Sequence, residues 1–468
     1  MYMEMIENRT FYEIKIGDTA SLVRTLSKKD IDLFAVMSGD VNPAHVDEEY
    51  ARSDLFHKII AHGMWGASLI STLLGTKLPG PGTIYLDQSL SFHHPVMVGD
   101  TITVTVTVRT KEADGHQVTF DCECCNQHGE EVISGNAKVI APTDKVRRPR
   151  AILPEVHLHN HGVWYRHLLD LAEGLPPIRT AVVHPVDSNA LLGAIEAARA
   201  SLIIPVLVGP ADKIHAAATA QNIDLSAYTM VPTEHSHAAA TQAVALARAG
   251  EVDALMKGSL NTDELMQAAV APGIGLATDL RMSHVFVLVV PTYPRPLFIT
   301  DAALNIYPDL EAKRDIVQNA IDLAHVLGIQ MPRVAILSAV ETVNPKIRST
   351  LEAAALCKMA DRGQITGGVV NGPLAFDNAV SPEAARAKGI VSPVAGQADI
   401  LVVPDLEAGN MLVKQLEYLA EAQITGIVLG ARVPIVLTSR ADDPRARLAS
   451  CALALLVAQS KMRTLPGT

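Results

Sequence analysis

Residues 100–110 read DTITVTVTVRT, and residues 116–124 read HQVTFDCEC. In both stretches apolar and polar residues alternate, and β-branched side chains are frequent, which is typical of half-buried antiparallel strands. The stretch GNAKVIAP at residues 135–142 follows the same pattern. Residues 62–80, HGMWGASLISTLLGTKLPG, have instead the apolar spacing of a buried helix that ends at glycine and proline. Residues 1–140 are therefore predicted to form an α+β domain with a helix against an antiparallel sheet.

The pattern changes after a proline-rich segment. Residues 141–160, APTDKVRRPRAILPEVHLHN, contain three prolines and a basic cluster, and are predicted to be a linker. The basic cluster is interpreted as a solvated hinge in preference to a phosphate-binding patch. A second domain is predicted from residue 161 to residue 468.

In that second domain, short apolar strands alternate with amphipathic helices. IIPVLVGP at residues 203–210, for example, follows NALLGAIEAARASL at residues 189–202. Such alternation is the signature of a parallel α/β sheet. About 300 residues is large for one core, so two α/β lobes with a cleft between them are expected.

Composition narrows the class of protein. Of 468 residues, 49% are hydrophobic and 19% are charged, so the chain can bury large cores. The net charge of −11, with no basic stripe, argues against nucleic acid as the main partner. There is no apolar run of the ~20 residues that a membrane-spanning helix needs. The first residues, MYMEMIENRTFYEIKIG, lack the basic region followed by an apolar block that is typical of a signal peptide. A cytoplasmic protein without a membrane partner is predicted, and five cysteines in so long a chain suit a reducing compartment.

One cluster of cysteines and one cluster of histidines contain residue types that bind metals. In an extended strand Cys122 and Cys124 share a face while Cys125 points the other way, so the three do not converge on one metal. They are predicted to be strand residues of a hairpin closed at Gly129. The histidines of residues 157–167, HLHNHGVWYRH, lack a cysteine or carboxylate at ligand spacing. No metal is predicted to be required.

The polar stretch SGDVNPAH at residues 38–45 raises a functional question. Pro43 keeps Asn42 out of the α region, so the chain must bend between Asp40 and His45, and such a bend can bring the two together. A carboxylate beside an imidazole forms an acid–base pair. Alternatively, Asp40 and Asn42 are turn and cap residues and His45 is a surface group. The spacing alone leaves both interpretations open.

A family resemblance adds to this interpretation. SGDVNPAHVDEEYA, IIAHGMWGASLIS and PGPGTIYLDQSLSF, within residues 15–140, resemble the MaoC-like, R-specific enoyl-CoA hydratases, which have a hot-dog fold. The resemblance includes the family motif Asp-x-Asn-Pro-x-His, at residues 40–45 here. By that resemblance, Asp40 and His45 are the catalytic dyad that holds and activates water, and Asn42 shapes the motif. The amide of Gly63 would point at the thioester oxygen.

The helix predicted to begin near His62 explains how such an amide is available. Its first N–H groups lack intrahelical partners, so they can stabilise a developing enolate oxygen. His62 itself is expected to pack, or to form a capping hydrogen bond, rather than to act directly.

From about residue 160 to the end, the chain resembles the phosphate acetyl/butyryltransferase family, more closely its butyryltransferase-like branch. The stretches that carry this resemblance are MKGSLNTDELM, FITDAALNIYPDLEAKRDIVQ, ADILVVPDLEAGNMLVKQ and GARVPIVLTSRAD. The resemblance implies acyl transfer between coenzyme A and inorganic phosphate, with acyl-CoA thioesters as substrates and without metal or acyl-enzyme. It also implies two lobes of isocitrate/isopropylmalate-dehydrogenase-like topology and a homodimer or higher homo-oligomer.

Residue by residue, Ser439 and Arg440 match the family's Ser-Arg pair, in which the arginine holds phosphate and the serine polarises the carbonyl. Arginine suits phosphate because its planar fork makes bidentate contacts. Arg281 matches a second phosphate-contacting arginine. Lys257 and Ser259, at the mouth of a strand, are weaker substrate-binding candidates, and Lys257 could equally be a solvated loop residue.

One departure concerns the base for the coenzyme A thiol. The aspartate proposed for that role in the acetyltransferases falls at Ala446 here. Asp442 and Asp443 could substitute, or either could cap the final helix. The stretch PDLEAGN contributes Glu407, Gly409 and Asn410 either to the cleft floor or to a purely structural turn; the glycine would permit close approach of backbone to ligand.

Three functions remain to be distinguished. The first is a bifunctional enzyme that hydrates short trans-2-enoyl-CoA and exchanges acyl groups with phosphate. The second is a phosphate acyltransferase alone, whose hot-dog domain binds acyl-CoA or mediates oligomerisation. A nonenzymatic scaffold would leave the dyad, Arg281 and the Ser-Arg pair unexplained.

Overall fold

The chain divides into two units, Met1–His159 and Asn160–Thr468, which are described separately. No helix in the described part of the chain is both long and apolar enough to cross a bilayer. The computed structural model describes residues 4–156, 158, 162–437 and 444–464.

The first unit consists of a five-stranded sheet, a two-stranded ribbon and four α-helices among its described residues. The strands are β1 (Met5–Glu7), β2 (Thr19–Thr25), β3 (Ile84–Phe92), β4 (Thr101–Glu112), β5 (Gln117–Cys125), β6 (Glu131–Ile140) and β7 (Arg147–Pro149). The helices are α1 (Lys28–Ser38), α2 (Pro43–Val46), α3 (Glu48–Ser53) and α4 (Gly63–Thr76). The sheet order is β2-β4-β5-β6-β3, and every pair is antiparallel. This confirms the predicted α+β class.

The core of this unit follows from the period of two in β4. Ile102, Val104, Val106 and Val108 are buried on one face of the sheet, and they belong to the same core as α4. Each fully buried aliphatic side chain contributes roughly 1.5–3 kcal/mol. The alternation thus selects which face of the sheet the helix covers.

The cysteine-containing hairpin is confirmed. Cys122 and Cys124 are buried in the core while Cys125 is only half-buried, and Gly129 lies in the turn that joins β5 to β6. Burial raises the pKa of the thiols of Cys122 and Cys124 to about 12. They are therefore neutral core residues.

Two features differ from the prediction. Helix α1 was not predicted, although Ser27 and Asp30 form a capping box that marks its start. Part of the segment predicted as a linker forms β7, which pairs with β1 so that Ile6 lies opposite Arg148. Arg150 also forms an ion pair with Glu4 at 3.0 Å. The basic cluster therefore lies along an acidic strand of the first unit.

Gly135 provides a stability prediction. A Cβ added there would overlap the carbonyl oxygen of Ser89 and lie 2.9 Å from its carbonyl carbon, and both belong to the backbone of the neighbouring strand. Gly135→Ala should lower the free energy of unfolding of this unit by about 2–3 kcal/mol, because the strands must separate. Urea unfolding followed by the fluorescence of Trp65, in a Trp164→Phe background, measures this unit alone, since the chain has two tryptophans.

Gly75→Ala is the matched control for that experiment. Gly75 lies in α4, and a Cβ there would meet nothing within 4 Å. Alanine should stabilise the helix by roughly 0.5–1 kcal/mol. Equal effects of the two substitutions would contradict the packing argument.

The second unit is built on one eleven-stranded sheet with helices on its faces. Its strands are β8 (Ile178–Val183), β9 (Ile203–Gly209), β10 (Thr229–Pro232), β11 (Ala254–Lys257), β12 (Ser283–Val289), β13 (Leu297–Thr300), β14 (Arg333–Leu337), β15 (Val369–Leu374), β16 (Ile400–Val402), β17 (Gln423–Leu429) and β18 (Ile435–Val436). Its helices are α5 (Val163–Ala172), α6 (Ser188–Arg199), α7 (Ala211–Ala220), α8 (Ser236–Arg248), α9 (Thr262–Val270), α10 (Leu310–Val326), α11 (Arg348–Asp361), α12 (Phe376–Val380), α13 (Pro382–Ala387), α14 (Leu406–Leu419) and α15 (Pro444–Thr464).

The sheet is mixed, so the prediction of a parallel sheet was wrong for its centre. Strands β10-β9-β8-β11-β18 form one parallel block, and β13-β16-β14-β15 form another. Between them, β18 pairs with β17, β17 with β12, and β12 with β13, always antiparallel. Three reversals make the two blocks run in opposite directions.

The hydrophobic core of this unit is continuous on one face of the sheet and divided into two clusters on the other. One continuous cluster includes residues from both blocks, for example Val182 and Phe298. On the opposite face there are two separate clusters, one containing Val183 and Leu255 and the other containing Ile299. A cavity between two cores is where a ligand site is expected.

Candidate active sites

In the first unit, the bend at residues 40–45 is held by its own side chains. The carboxylate of Asp40 accepts a hydrogen bond from the backbone N–H of Asn42 at 3.2 Å. Asn42 caps α2 by accepting from the N–H of Ala44 at 3.2 Å, and Pro43 is the first residue of that helix. Asp40 and Asn42 therefore do act as turn and cap residues, and this local structure sets the position of His45 one turn later.

His45 is buried and has a defined tautomer. Its Nδ1 lies 2.9 Å from the carbonyl oxygen of Ile60. A carbonyl oxygen can only accept, so Nδ1 carries the proton and Nε2 keeps its lone pair. His45 is thus oriented to accept a proton at Nε2.

His62 packs against the ring of His45. Its Nε2–H donates to the backbone oxygen of Asp40 at 3.0 Å, and its ring lies 4.0 Å from the His45 ring and 4.9 Å from the Phe34 ring. Helix α4 begins at Gly63 as predicted, but its N-cap, His62, makes no side-chain capping bond. Of the two roles expected for His62, the structure shows packing and not capping, because the imidazole holds the Asp40 loop against the helix start.

Asp40, His45 and His62 lie close together. One atom of each that could bind a metal ion, a carboxylate oxygen or a ring nitrogen, lies within 4.8 Å of the other two. A water molecule with two hydrogen bonds of about 2.8 Å can bridge groups up to ~5 Å apart. The two imidazole rings lie 4.0 Å apart and are tilted by 34° to each other. One nitrogen of each ring faces a backbone carbonyl oxygen, which leaves the other nitrogen with its lone pair. The spacing of the three groups fits a water molecule held between them.

A cavity of about 320 Å³ opens beside His45, and His45, His62, Gly63 and Phe92 line it. As the first residue of α4, Gly63 has an N–H without an intrahelical acceptor, at the positive end of the helix dipole. A Cβ on Gly63 would lie 3.0 Å from the Phe92 ring. Glycine therefore lets the aromatic ring and the helix start enclose the same space.

In the second unit, a cavity of about 790 Å³ lies at the centre of the sheet. Lys257, at the end of β11, and Asn410, in α14, line it, as does Ala446 in α15. Lys257 is buried, and Asn410 donates from Nδ2 to the carbonyl oxygen of Ala302 at 3.3 Å. The structure thus brings Lys257 and Asn410 to one cavity, together with the position of the family's aspartate.

The predicted Ser439 and Arg440 lie outside the described residues, as do Asp442 and Asp443. The described neighbours of that segment, Leu437 on one side and Arg445 on the other, line the 790 Å³ cavity.

Arg281 lines a different cavity, of about 660 Å³. Its side-chain Nε–H donates to Asn305 Oδ1, and its backbone N–H donates to Asp315 Oδ2, both at 2.9 Å. Asp263 borders both cavities, so the two adjoin. The structure does not place Arg281 and Lys257 in the same cavity.

Ser259 has a structural role among the described contacts. Its hydroxyl donates to the carboxylate of Asp187, and the backbone N–H of Asp187 donates back to it at 3.1 Å. Asp187 also caps α6 by accepting from the N–H of Ala190. Ser259 is not among the residues that line the described cavities.

The PDLEAGN stretch forms a helix start. Asp405 caps α14, and Glu407 accepts a hydrogen bond from the Tyr307 hydroxyl at 3.2 Å. Gly409 lies inside α14, where a Cβ would come within 2.9 Å of the Ala302 Cβ. The glycine therefore permits close packing of the helix on the chain after β13, and Asn410 is the member of the stretch that lines the cavity.

The sequence interpretation missed His284, which is buried in β12 and lines the 790 Å³ cavity. No motif marks it, because a histidine near the start of the largely apolar strand SHVFVLV has the pattern of a core residue. The alternation of the strand was an available signal, since His284 and Phe286 fall on the same face.

Each of the two units contains a segment that matches a known protein family. Residues 233–455 match the family model for phosphate acetyl/butaryl transferase, and residues 15–122 match that for MaoC like domain. A phosphate acetyltransferase of Rhizobium meliloti is 63% identical over 63% of this chain and 93% of its own length. A phosphate butyryltransferase of Clostridium acetobutylicum is 43% identical over 60% of this chain and 94% of its own.

Among solved structures, a branched-chain phosphotransacylase from Enterococcus faecalis V583 is 29% identical, with a TM-score of 0.53. It is matched over 60% of this chain and 99% of its own length. The chain therefore belongs to the phosphate acetyl/butyryltransferase family, and it carries a MaoC-like domain ahead of its transferase domain.

Proposed function

We propose that this protein is a bifunctional enzyme. Its MaoC-like domain, residues 1–140, hydrates short-chain trans-2-enoyl-CoA to (R)-3-hydroxyacyl-CoA. Its transferase domain, residues 161–468, reversibly transfers acyl groups between acyl-CoA and inorganic phosphate. The observation that carries the first activity is the Asp40–His45 pair beside an uncapped helix start. A shared acyl-CoA substrate gives the fusion a physical rationale, since linked sites share a local concentration of ligand.

In the hydration, water is held between the Asp40 carboxylate and His45 Nε2. Its oxygen attacks C3 of the enoyl group, and its proton passes to the dyad. Electrons move to the thioester oxygen, where the N–H of Gly63 stabilises the enolate. A proton then returns to C2. The hydrogen bond from His45 to Ile60 keeps Nε2 in the form that accepts.

In the transfer, no acyl-enzyme or metal is needed if phosphate attacks the thioester directly. Arg440 and Ser439 are proposed to hold phosphate and polarise the carbonyl, with Arg281 and Lys257 adding positive charge. Asn410 is proposed to position substrate. Charge neutralisation and positioning supply most of such catalysis. The divided core and opposed strand blocks support a two-lobed, isocitrate/isopropylmalate-dehydrogenase-like arrangement, and a homodimer is proposed.

The test is product analysis by mass spectrometry. Purified protein is mixed with crotonyl-CoA, with and without phosphate, and separately with butyryl-CoA and phosphate. Formation of 3-hydroxybutyryl-CoA in both crotonyl-CoA mixtures supports the hydratase, and butyryl phosphate supports the transferase. Butyryl phosphate without any hydration would favour the second candidate, an acyltransferase whose MaoC-like domain only binds acyl-CoA or mediates assembly.

Lys257 offers a prediction for the transferase cavity. Lys257→Met should lower kcat/KM for acyl transfer roughly 10- to 100-fold, because a hydrogen bond from a cation to an anionic reactant contributes about 1.5–3 kcal/mol. Steady-state kinetics with butyryl-CoA and phosphate measure this. Lys346→Met, at an exposed lysine, is the control and should leave kcat/KM unchanged. Equal kinetics for the two variants would remove Lys257 from the site.

A further inference from the structure

His284 is a buried polar residue in the wall of the transferase cavity. Its side chain lies in β12, between β13 and β17, and only 1% of the residue is exposed. Among the described residues its Nδ1 has no hydrogen-bond partner. Because it lines the same 790 Å³ cavity as Lys257 and Asn410, it lies where a ligand can meet it. A buried polar group without a partner calls for an explanation.

The neighbouring strand leaves room for the imidazole at Gly426. A Cβ at Gly426 would come within 2.6 Å of Cε1 and 2.8 Å of Nε2 of His284. Phe286 covers the ring at a centroid distance of 4.2 Å. Gly426 and Phe286 both line the cavity as well. The imidazole ring is thus held between the ring of Phe286 and the backbone of β17 at Gly426, where there is no side chain.

The protonation state of His284 follows from its surroundings. Burial lowers the pKa of its imidazole to about 3, so the ring is neutral at physiological pH and is a weak base. An unpaired lone pair is tolerated in the interior more readily than an unpaired N–H. The tautomer with the proton on Nε2 is therefore favoured, and the ring is suited to donate a hydrogen bond and not to remove a proton.

We infer that His284 is a further catalytic residue of acyl transfer, whose Nε2–H donates a hydrogen bond to the carbonyl oxygen of the acyl group. This inference rests on the proposed function. Neutral donors in a site that excludes water stabilise a developing oxyanion without giving up their proton.

The step balances as follows. A phosphate oxygen attacks the thioester carbon and forms a C–O bond, while the carbonyl π electrons move to oxygen. The oxyanion accepts the hydrogen bond from His284. When the carbonyl re-forms, the C–S bond breaks, and the thiolate takes the proton of hydrogen phosphate. The products are acyl phosphate and coenzyme A, and His284 is unchanged.

Kinetics of His284→Leu test the inference first. Loss of one oxyanion donor lowers kcat about 100- to 1000-fold, and KM for phosphate should stay within about threefold. His284→Gln, which keeps an N–H, should recover at least part of that loss. His215→Gln, at an exposed position of α7, is the matched control and should be unaffected. A folded His284→Leu protein with wild-type kcat would overturn the assignment.

Infrared spectroscopy of bound butyryl-CoA without phosphate gives a readout that does not need turnover. The thioester carbonyl band should shift to lower frequency on binding to wild-type protein, and this shift should shrink in Gly426→Ala, whose methyl displaces the ring. Absence of the shift in wild-type protein contradicts the inference, whether or not His284→Leu folds. If wild-type protein shows the shift but makes no butyryl phosphate, the proposed transfer fails while the carbonyl contact stands.

Discussion

Asp40→Asn is expected to lower kcat for hydration of crotonyl-CoA by about 1000-fold, within the 100- to 10,000-fold range of general acid–base catalysis. The amide keeps the size of the carboxylate, and its oxygen can still accept from the N–H of Asn42. It cannot accept the proton of the bound water. The loop should therefore stay folded while the chemistry is lost. Absorbance of the enoyl thioester follows the reaction directly.

Two controls distinguish a loss of catalysis from a loss of folding. Acyl transfer by the same Asp40→Asn sample should be unchanged, because the residue belongs to the other unit. Asp121→Asn removes an exposed aspartate from β5, whose carboxylate pairs with Arg109 at 3.4 Å, and should leave both activities intact. Full hydratase activity in Asp40→Asn would remove the case for the dyad and leave a binding module.

The second large effect is expected from Arg440. Arg440→Gln should lower kcat/KM for phosphate by about 1000-fold, or ~4 kcal/mol, since removing one partner of a desolvated charge pair costs about 2–5 kcal/mol. Arg440→Lys keeps the charge but loses the bidentate fork, so an intermediate value is expected. Initial rates with butyryl-CoA at varied phosphate give the comparison.

The control for Arg440 is Arg432→Gln, at an exposed arginine in the preceding loop. It should behave as wild type, and hydration of crotonyl-CoA should be unchanged in all three arginine variants. If Arg440→Gln kept kcat/KM for phosphate within threefold, the phosphate site would have to be sought at Arg281 in the adjoining cavity.

Much of the first unit was predictable because its information is local. The alternation in β4 and β5 selects strand and buried face together, and the glycine and proline after α4 mark its end. The capping box of α1 was equally local and was overlooked. In the second unit, the direction of β12 and β13 in the sheet was not predictable. A strand buried on both faces has the same apolar sequence pattern whether it is parallel or antiparallel to its neighbours.

The sequence by itself determined which groups could do chemistry. Asp40, Asn42 and His45 lie within six residues, so one proline and one helical turn suffice to assemble them. The tertiary structure decided how they are held. The carbonyl of Ile60 selects the tautomer of His45, and the imidazole of His62 holds the Asp40 loop.

In the transferase unit, Lys257, His284 and Asn410 come from separate strands and helices, and only the folded sheet brings them to one cavity. Hydrophobic pattern and turn chemistry act over a few residues. Pairing across β11, β18, β17 and β12 joins residues far apart in the chain, and it depends on burial of the sheet as a whole.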